Sequence, residues 1–224
     1  MKRRTINKFL LGTLAFGLFS CTDKYMDINS NPYQPDDLSA DDYAVGSAMN
    51  NLASAVISND VNTAQFTDCL LGGPMGGYFA DSGTWGNTIS NYNATNDWMR
   101  VFLVSDRVLP VLFVNLSTLQ VVSENTNNPV PYAIAKVVKV AAMSRITDTY
   151  GPIPYTKIGV DGKLTVPYDS QETIYNTFFD ELNSSIETLT AHKDAAMVAS
   201  ADRVYGGNVQ KWIKFANSLT IRIK

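Results

Sequence analysis

Apolar residues recur three and four positions apart along most of the chain after residue 39. This spacing places them on one face of an α-helix, whereas the strict alternation of a half-buried β-strand is scarce. The pattern is clearest where Ile174, Phe178, Leu182, Ile186 and Leu189 follow one another. The sequence therefore predicts an all-α fold with few or no strands.

The same spacing predicts three helices in the first part of the chain. The first begins at the N-cap Ser39, and a weaker one covers Thr63–Leu71. A third continues from Trp98 through Leu116, where Pro110 is expected to kink or split it. The expected core-facing residues of the first helix are Val45, Met49, Leu52, Val56 and Ile57.

Two later helices are bounded by capping or turn residues. A helix rich in Ala and Val over Tyr132–Asp148 is expected to end at Gly151, because glycine favours the backbone conformation that closes a helix. The helix that contains Phe178 is expected to begin with a capping box. In that arrangement Asp169 caps the N-terminus and Glu172 reaches back to it.

The final predicted helix still has a strong apolar stripe where the sequence ends at Lys224. No Gly, Asn or Pro ends this helix. The pattern alone leaves two interpretations open: the sequence is part of a longer protein, or the helix docks on the core at a natural C-terminus. Its apolar stripe consists of Trp212, Phe215, Ala216, Leu219 and Ile223.

The first twenty residues are typical of a signal peptide. Four basic residues precede the eleven-residue apolar stretch 9–19, which as a helix is only ~16 Å long and too short to cross a bilayer. Leu18 and Ser20 before Cys21 resemble a bacterial lipobox, whose Cys becomes an acylated N-terminus. We therefore predict a signal peptide over 1–20, a lipid-anchored tether over 21–38 and a helical domain over 39–224.

The charge balance argues against nucleic acid as a partner. The formal net charge is −3, and it is −7 when the four bases of residues 1–20 are left out. An acidic body without a basic stripe lacks the electrostatic attraction that nucleic-acid binding requires.

The sequence contains no recognisable catalytic or metal-binding motif. The only histidine, His192, has no ligand partners at metal-binding spacing, and Gly72–Gly77 lacks the lysine of a phosphate-binding loop. We therefore predict no enzyme activity, no cofactor and no metal. A glycosidase with two carboxylates stays open as a third hypothesis, with Asp68, Asp81, Asp97 and Asp148 as candidates.

One segment does point to ligand binding. Gly72–Asn96 places aromatic residues among Gly, Asn, Ser and Thr without helical or strand periodicity. Aromatic faces beside amide and hydroxyl groups suit a carbohydrate, whose C–H groups stack on rings. We expect Phe79 to pack on the core, and Cys69, which precedes the segment, to be a buried inert thiol. The predicted ligand-binding residues are Trp85, Tyr92, Tyr78 and Asn87.

Four segments, taken together and in order, carry a resemblance to a known family. They are Cys21 with Tyr25–Pro32, Ile146–Tyr155, Val166–Tyr175 and Tyr205–Leu219. The chain resembles the SusD/RagB family of outer-membrane nutrient-binding lipoproteins from Bacteroidetes. Members are considerably longer, so the resemblance implies that this sequence is the N-terminal half of such a protein.

The resemblance implies a SusD-like fold of tetratricopeptide-like helix pairs and an outer-membrane lipid anchor at Cys21, exposed at the cell surface. It also implies a SusC-like TonB-dependent transporter as partner. A family member captures oligosaccharides, or in some cases peptides, above this transporter and so serves nutrient uptake. Thr147–Tyr155 and Tyr168–Tyr175 are expected to be architectural.

The leading hypothesis is thus a non-catalytic surface lipoprotein that binds glycans. The alternative is an interaction protein that docks on the transporter, or on a peptide, without binding sugar itself.

Overall fold

The computed structural model describes residues 40–57, 60–80, 108–160, 165–195 and 197–224. All of them belong to one compact unit, residues 39–224. The predicted signal peptide, the predicted tether and Cys21 lie outside the described residues.

The described residues form helices joined by turns. The part of the chain that the structure describes has no strand, and Ile153 and Asp169 form an isolated antiparallel bridge. The all-α prediction is confirmed. The helices are α1 (Ala40–Val56), α2 (Val61–Ala64), a π-helical segment (Gln65–Gly72), α3 (Gly73–Met75), α4 (Val108–Asn125), α5 (Val130–Tyr150), α6 (Gln171–Ala191), a 3₁₀ helix (Ala199–Ala201) and α7 (Val209–Ile223).

Helix α5 is the centre of the core. It packs against α1, α4, α6 and α7, and residues on all its faces are buried, among them Ile134, Val137, Val138 and Met143. A helix with apolar residues on several faces is stable only when neighbours cover those faces. As predicted, α5 ends at Gly151, which has a positive φ of 74°.

The consecutive helices α4, α5 and α6 run in alternating directions. A short turn at 126–129 joins α4 to α5, and there the Tyr132 N–H donates to Ser123 Oγ (3.2 Å). Helix α6 begins beside the end of α5, because Gln171 Nε2 donates to the carbonyl of Thr147 (3.0 Å). Consecutive helices are therefore packed as antiparallel pairs.

One end of this array collects several helix termini, and we call it the loop end. Arg145, near the end of α5, donates to the carbonyl of Val56, the last residue of α1 (3.0 Å). Arg145 also pairs with Asp68 of the π-helical segment (3.6 Å). Leu109 at the start of α4 and Tyr150 at the end of α5 line one cavity here. The loop end thus carries the α2–α3 segment and the connection from α5 to α6.

The apolar stripes predict most of the core correctly. The α6 stripe is buried at Ile174, Phe178, Leu182 and Leu189, and Ile186 is partly buried against the core. The α7 stripe is confirmed as well. Ile57 is the exception on α1, because the helix ends at Val56 and leaves Ile57 73% exposed.

The weak helix predicted over Thr63–Leu71 exists, but a large part of it is π-helical. Thr67 faces inward and donates from Oγ1 to the carbonyl of Thr63 (2.7 Å). Cys69 lies two residues further round the turn and is exposed, so the prediction of a buried thiol was wrong. From Val108 to Asn125 α4 is uninterrupted; the predicted helix residues before Val108 lie outside the described residues.

The predicted capping box of α6 was wrong by one residue. Ser170, not Asp169, is the N-cap, and its Oγ accepts from the Thr173 N–H (3.2 Å). Asp169 turns back to the preceding loop and accepts from the backbone N–H groups of Tyr155 (3.0 Å) and Thr156 (2.7 Å). Because the Asp169 carboxylate binds these two N–H groups, it does not cap α6.

A buried carboxylate organises the entry to α7. Asp202 is only 1% exposed and accepts four hydrogen bonds. The backbone N–H groups of Val204 and Tyr205 donate to Oδ1 (3.0 and 3.1 Å). Gly207 N–H and Trp212 Nε1 donate to Oδ2 (3.0 and 2.8 Å). One side chain therefore joins the turn before α7 to the first turn of that helix.

Candidate functional site at the loop end

Of the four predicted ligand-binding residues, the structure describes Tyr78. Its side chain is at the surface, with 84% of the residue exposed. Trp85, Asn87 and Tyr92 lie outside the described residues. The prediction for these three residues stays a prediction.

A glycine-rich turn places Tyr78 and its neighbour Phe79. The carbonyl of Gly73 accepts from the Tyr78 N–H (2.8 Å) and the Phe79 N–H (3.4 Å), which closes the end of α3. Gly77 has a φ of +75°, a conformation that favours glycine. The turn brings the chain back over α3 instead of into the core.

The expectation that Phe79 packs on the core was wrong. Phe79 is 60% exposed. One side of its ring lies against the backbone of Gly73, so close that a Cβ there would be 2.2 Å from Cδ2. The Phe79 ring therefore packs on Gly73 in the turn and not in a pocket of the core.

An apolar cavity of about 210 Å³ opens at the loop end. The motif that the sequence marks as architectural supplies much of its wall, because the two prolines after Gly151 turn the chain across the ends of α4 and α5. Tyr168, on the rim, is 71% exposed. Sequence reasoning did not identify this cavity, although the run of Tyr and Pro residues in the α5–α6 connection was a signal. Its lining residues are Leu109, Ile146, Tyr150, Pro152, Ile153, Pro154 and Tyr168.

A charged network fixes the loop that forms this cavity wall. Lys139 forms an ion pair with Glu181 (2.5 Å), and its ammonium lies 4.7 Å from the centre of the Tyr155 ring. The Tyr155 hydroxyl donates to the other Glu181 oxygen, and its ring meets Phe178 edge to face. Burial, together with the Glu181 charge and hydrogen bond, raises the pKa of Tyr155 well above its usual range. The network holds Tyr155 as a neutral phenol.

The Asp169 carboxylate anchors the same loop from the other side. Burial of this group acts to raise its pKa. The hydrogen bonds from Thr156 and Tyr155 outweigh this effect, so the pKa of Asp169 lies below its usual value of 3.8. A carboxyl with a lowered pKa stabilises the fold above its ordinary pKa, and this contribution is lost as the pH falls through the lowered value.

The two described candidates for a carboxylate pair have partners of their own. Asp148 accepts from the Tyr175 hydroxyl (2.5 Å), and Asp68 pairs with Arg145. Among the described residues, no group of three or more His, Cys, Asp or Glu side chains could hold a metal ion.

Tyr175 beside Asp148 gives the candidate site a measurable titration. Burial, followed by the hydrogen bond and charge of Asp148, raises the pKa of Tyr175 to about 12. The fold favours the neutral phenol, so this stabilisation is present below the ordinary pKa of 10.0 and is lost as the pH rises toward 12. We expect Tyr175→Phe to remove a phenolate transition near pH 12, measured by near-ultraviolet absorbance directly after a pH jump.

The control for this titration is Asp148→Asn, which keeps the phenol and removes the charge. It should move the transition toward the usual tyrosine range. If Tyr175→Phe instead removes a transition near pH 10, the raised pKa assigned to Tyr175 is wrong.

Comparison with known proteins places this fold in a family. Residues 27–224 match the model of the SusD-like family, described as "Susd and RagB outer membrane lipoprotein". The chain belongs to the SusD-like family. The resemblance deduced from the sequence motifs is thereby confirmed. No curated protein matches the chain.

Solved SusD homologs share the fold. One from Bacteroides uniformis is 73% identical, with a TM-score of 0.73 and coverage of 81% of this chain and 37% of that one. Another from Bacteroides ovatus is 32% identical, with a TM-score of 0.65 and coverage of 81% and 36%. A chitin-binding SusD homolog from Flavobacterium johnsoniae is 26% identical, with a TM-score of 0.64 and coverage of 80% and 38%.

The SusD-like chain thus spans little more than a third of these relatives, 36–38% of their length. The family description indicates an outer membrane lipoprotein. None of the described helices combines the length and the apolar character needed to cross a membrane.

Proposed function

We propose that this SusD-like protein is a non-catalytic lipoprotein that captures oligosaccharides at the cell surface. It passes them to a SusC-like TonB-dependent transporter in the outer membrane. The observation that carries the proposal is the family match over residues 27–224. The chitin-binding activity of a solved relative supports a carbohydrate ligand. The acylated Cys21 anchors the protein in the outer membrane.

The proposed ligand-binding residues are Trp85, Tyr92, Tyr78 and Asn87. The aromatic rings stack on the C–H faces of sugar rings, and the amide of Asn87 pairs with hydroxyl groups. The exposure of Tyr78 supports the proposal, because a ring that binds ligand must be accessible.

Loss of the Trp85 ring is expected to weaken glycan retention in affinity electrophoresis. We expect Trp85→Ala to reduce retention roughly tenfold, which corresponds to ~1.4 kcal/mol. Tyr43→Ala is the matched control, because Tyr43 is an exposed aromatic residue of α1, outside the glycine-rich segment. If the wild-type protein and the Trp85→Ala variant bind a sugar equally well, the role assigned to Trp85 is wrong.

The alternative function is docking on the transporter without sugar binding. It is supported by the outer face of α4, where Val114 and Val121 are 65% and 51% exposed and no charged residue occurs between Val108 and Ser123. Co-purification with the transporter, together with no binding on a glycan array, would favour this alternative.

A further inference from the structure

Two exposed aromatic rings lie against glycine backbone in the turn after the π-helical segment. A Cβ added to Gly73 would meet the Phe79 ring at 2.2 and 2.5 Å. A Cβ added to Gly76 would meet the Tyr78 ring at 3.0 and 3.1 Å. A side chain at Gly73 would have to displace the Phe79 ring, and one at Gly76 would push the Tyr78 ring aside by a few tenths of an ångström. The two glycines therefore leave the space in which the two rings lie.

Both rings nevertheless remain open to solvent. Phe79 is 60% exposed and Tyr78 is 84% exposed. An exposed aromatic ring that is free to rotate loses conformational freedom when it binds a ligand, and this cost weakens binding. Hydrogen bonds to the Gly73 carbonyl hold the backbone of Tyr78 and Phe79, and glycine backbone lies close to one side of each ring. The backbone that carries the rings is thus ordered, and the outer side of each ring is open to a ligand.

The segment that carries the two rings is itself uncharged. Residues 72–80 contain no Asp, Glu, Lys, Arg or His. An anionic ligand would lose hydration here without gaining an ion pair from this segment, whereas a neutral ligand with apolar C–H groups would not. The phenol of Tyr78 adds one group that can donate to, or accept from, a hydroxyl. These properties match a neutral sugar ring.

We propose that Tyr78 and Phe79 form a stacking platform for a neutral sugar ring, with Gly73 and Gly76 as positioning residues. The proposal rests on the function proposed above and extends it in two respects. It adds Phe79 as a ligand-contacting residue. It also gives the glycine-rich segment a role, which is to leave space for the two rings.

The test measures retention of the purified protein in gels that contain glycol chitin, starch, xylan or mannan. Phe79→Ala is expected to reduce retention about tenfold on the neutral glycan that the wild-type protein binds best. Gly73→Ala keeps both rings but displaces one of them, and it should reduce retention at least fivefold. Phe79→Trp restores a flat ring and should keep retention within twofold of the wild type.

The matched control is Tyr43→Ala, which removes an exposed tyrosine of α1 outside the glycine-rich turn and should leave retention unchanged. Circular dichroism checks that each variant is folded. A gel with pectin, which is anionic, tests the expected preference for neutral glycans.

Each contrary outcome has a distinct meaning. Equal retention of the wild type, Phe79→Ala and Gly73→Ala would overturn the platform and leave glycan capture intact. Preferred binding to pectin would overturn the assignment to neutral sugars. Absence of wild-type retention in every gel, or binding to neutral peptides instead, would overturn the proposed function and the platform together.

Discussion

Replacement of Asp202 by alanine is expected to lower the free energy of unfolding by about 3–5 kcal/mol, since several buried donors would lose their acceptor at about 1–3 kcal/mol each. The carboxylate is 1% exposed, and its four donors lie between 2.8 and 3.1 Å away. Water reaches such a site only if the turn before α7 opens. The loss should appear as a lower midpoint in urea unfolding, followed by circular dichroism.

Asp169→Ala is the matched control for this prediction. Asp169 also accepts two backbone hydrogen bonds, from Tyr155 and Thr156, but it lies closer to solvent. Water can replace its carboxylate there, so the expected loss is only ~1 kcal/mol, the usual net contribution of a hydrogen bond. Equal losses for Asp202→Ala and Asp169→Ala would show that burial is not the deciding factor.

The sequence predicts the helices well because burial in helices follows a period of 3.6 residues. On α6, for example, the spacing from Ile174 to Leu189 identifies the residues that contact the core. The stop at Gly151 was also predictable, since its φ of 74° favours glycine. These features depend on residues close together in the chain.

The sequence predictions were wrong where the surrounding structure decides between residues that are equally suitable locally. Asp169 and Ser170 are both good N-caps, and the backbone of the preceding loop engages Asp169 and leaves the cap to Ser170. Cys69 is exposed because Thr67 is the residue that faces inward, and a side chain two residues further along a helix lies on the opposite side. The apolar residues around Cys69 do not reveal which of them faces inward.

In the candidate site, too, some features were predictable from the local sequence and others were not. Composition indicates a carbohydrate-binding segment, but the packing of Phe79 on Gly73 depends on the path of the chain through the turn. The contact between Lys139 and Glu181 joins residues 42 positions apart, and no local pattern marks them as partners. The type of chemistry is therefore accessible from the sequence, whereas the arrangement of the groups is not.

Gly207→Ala is expected to cost about 2–5 kcal/mol, the sum of left-handed backbone strain and steric overlap. Gly207 has a φ of +78°, and a Cβ there would lie 2.2 Å from the carbonyl oxygen of Met197. This neighbour is backbone and cannot rotate away as a side chain could. The substitution must therefore move either the Met197 segment or the turn that Asp202 holds.

Gly159→Ala separates the two contributions. Gly159 has nearly the same φ, +76°, but no atom within 4 Å of an added Cβ. Its substitution should cost only the backbone strain, about 1–2 kcal/mol. Urea unfolding of both variants measures the difference directly. If the two variants are equally stable, contact with Met197 contributes nothing, whereas a larger loss for Gly207→Ala shows that close backbone packing at the entry to α7 requires glycine.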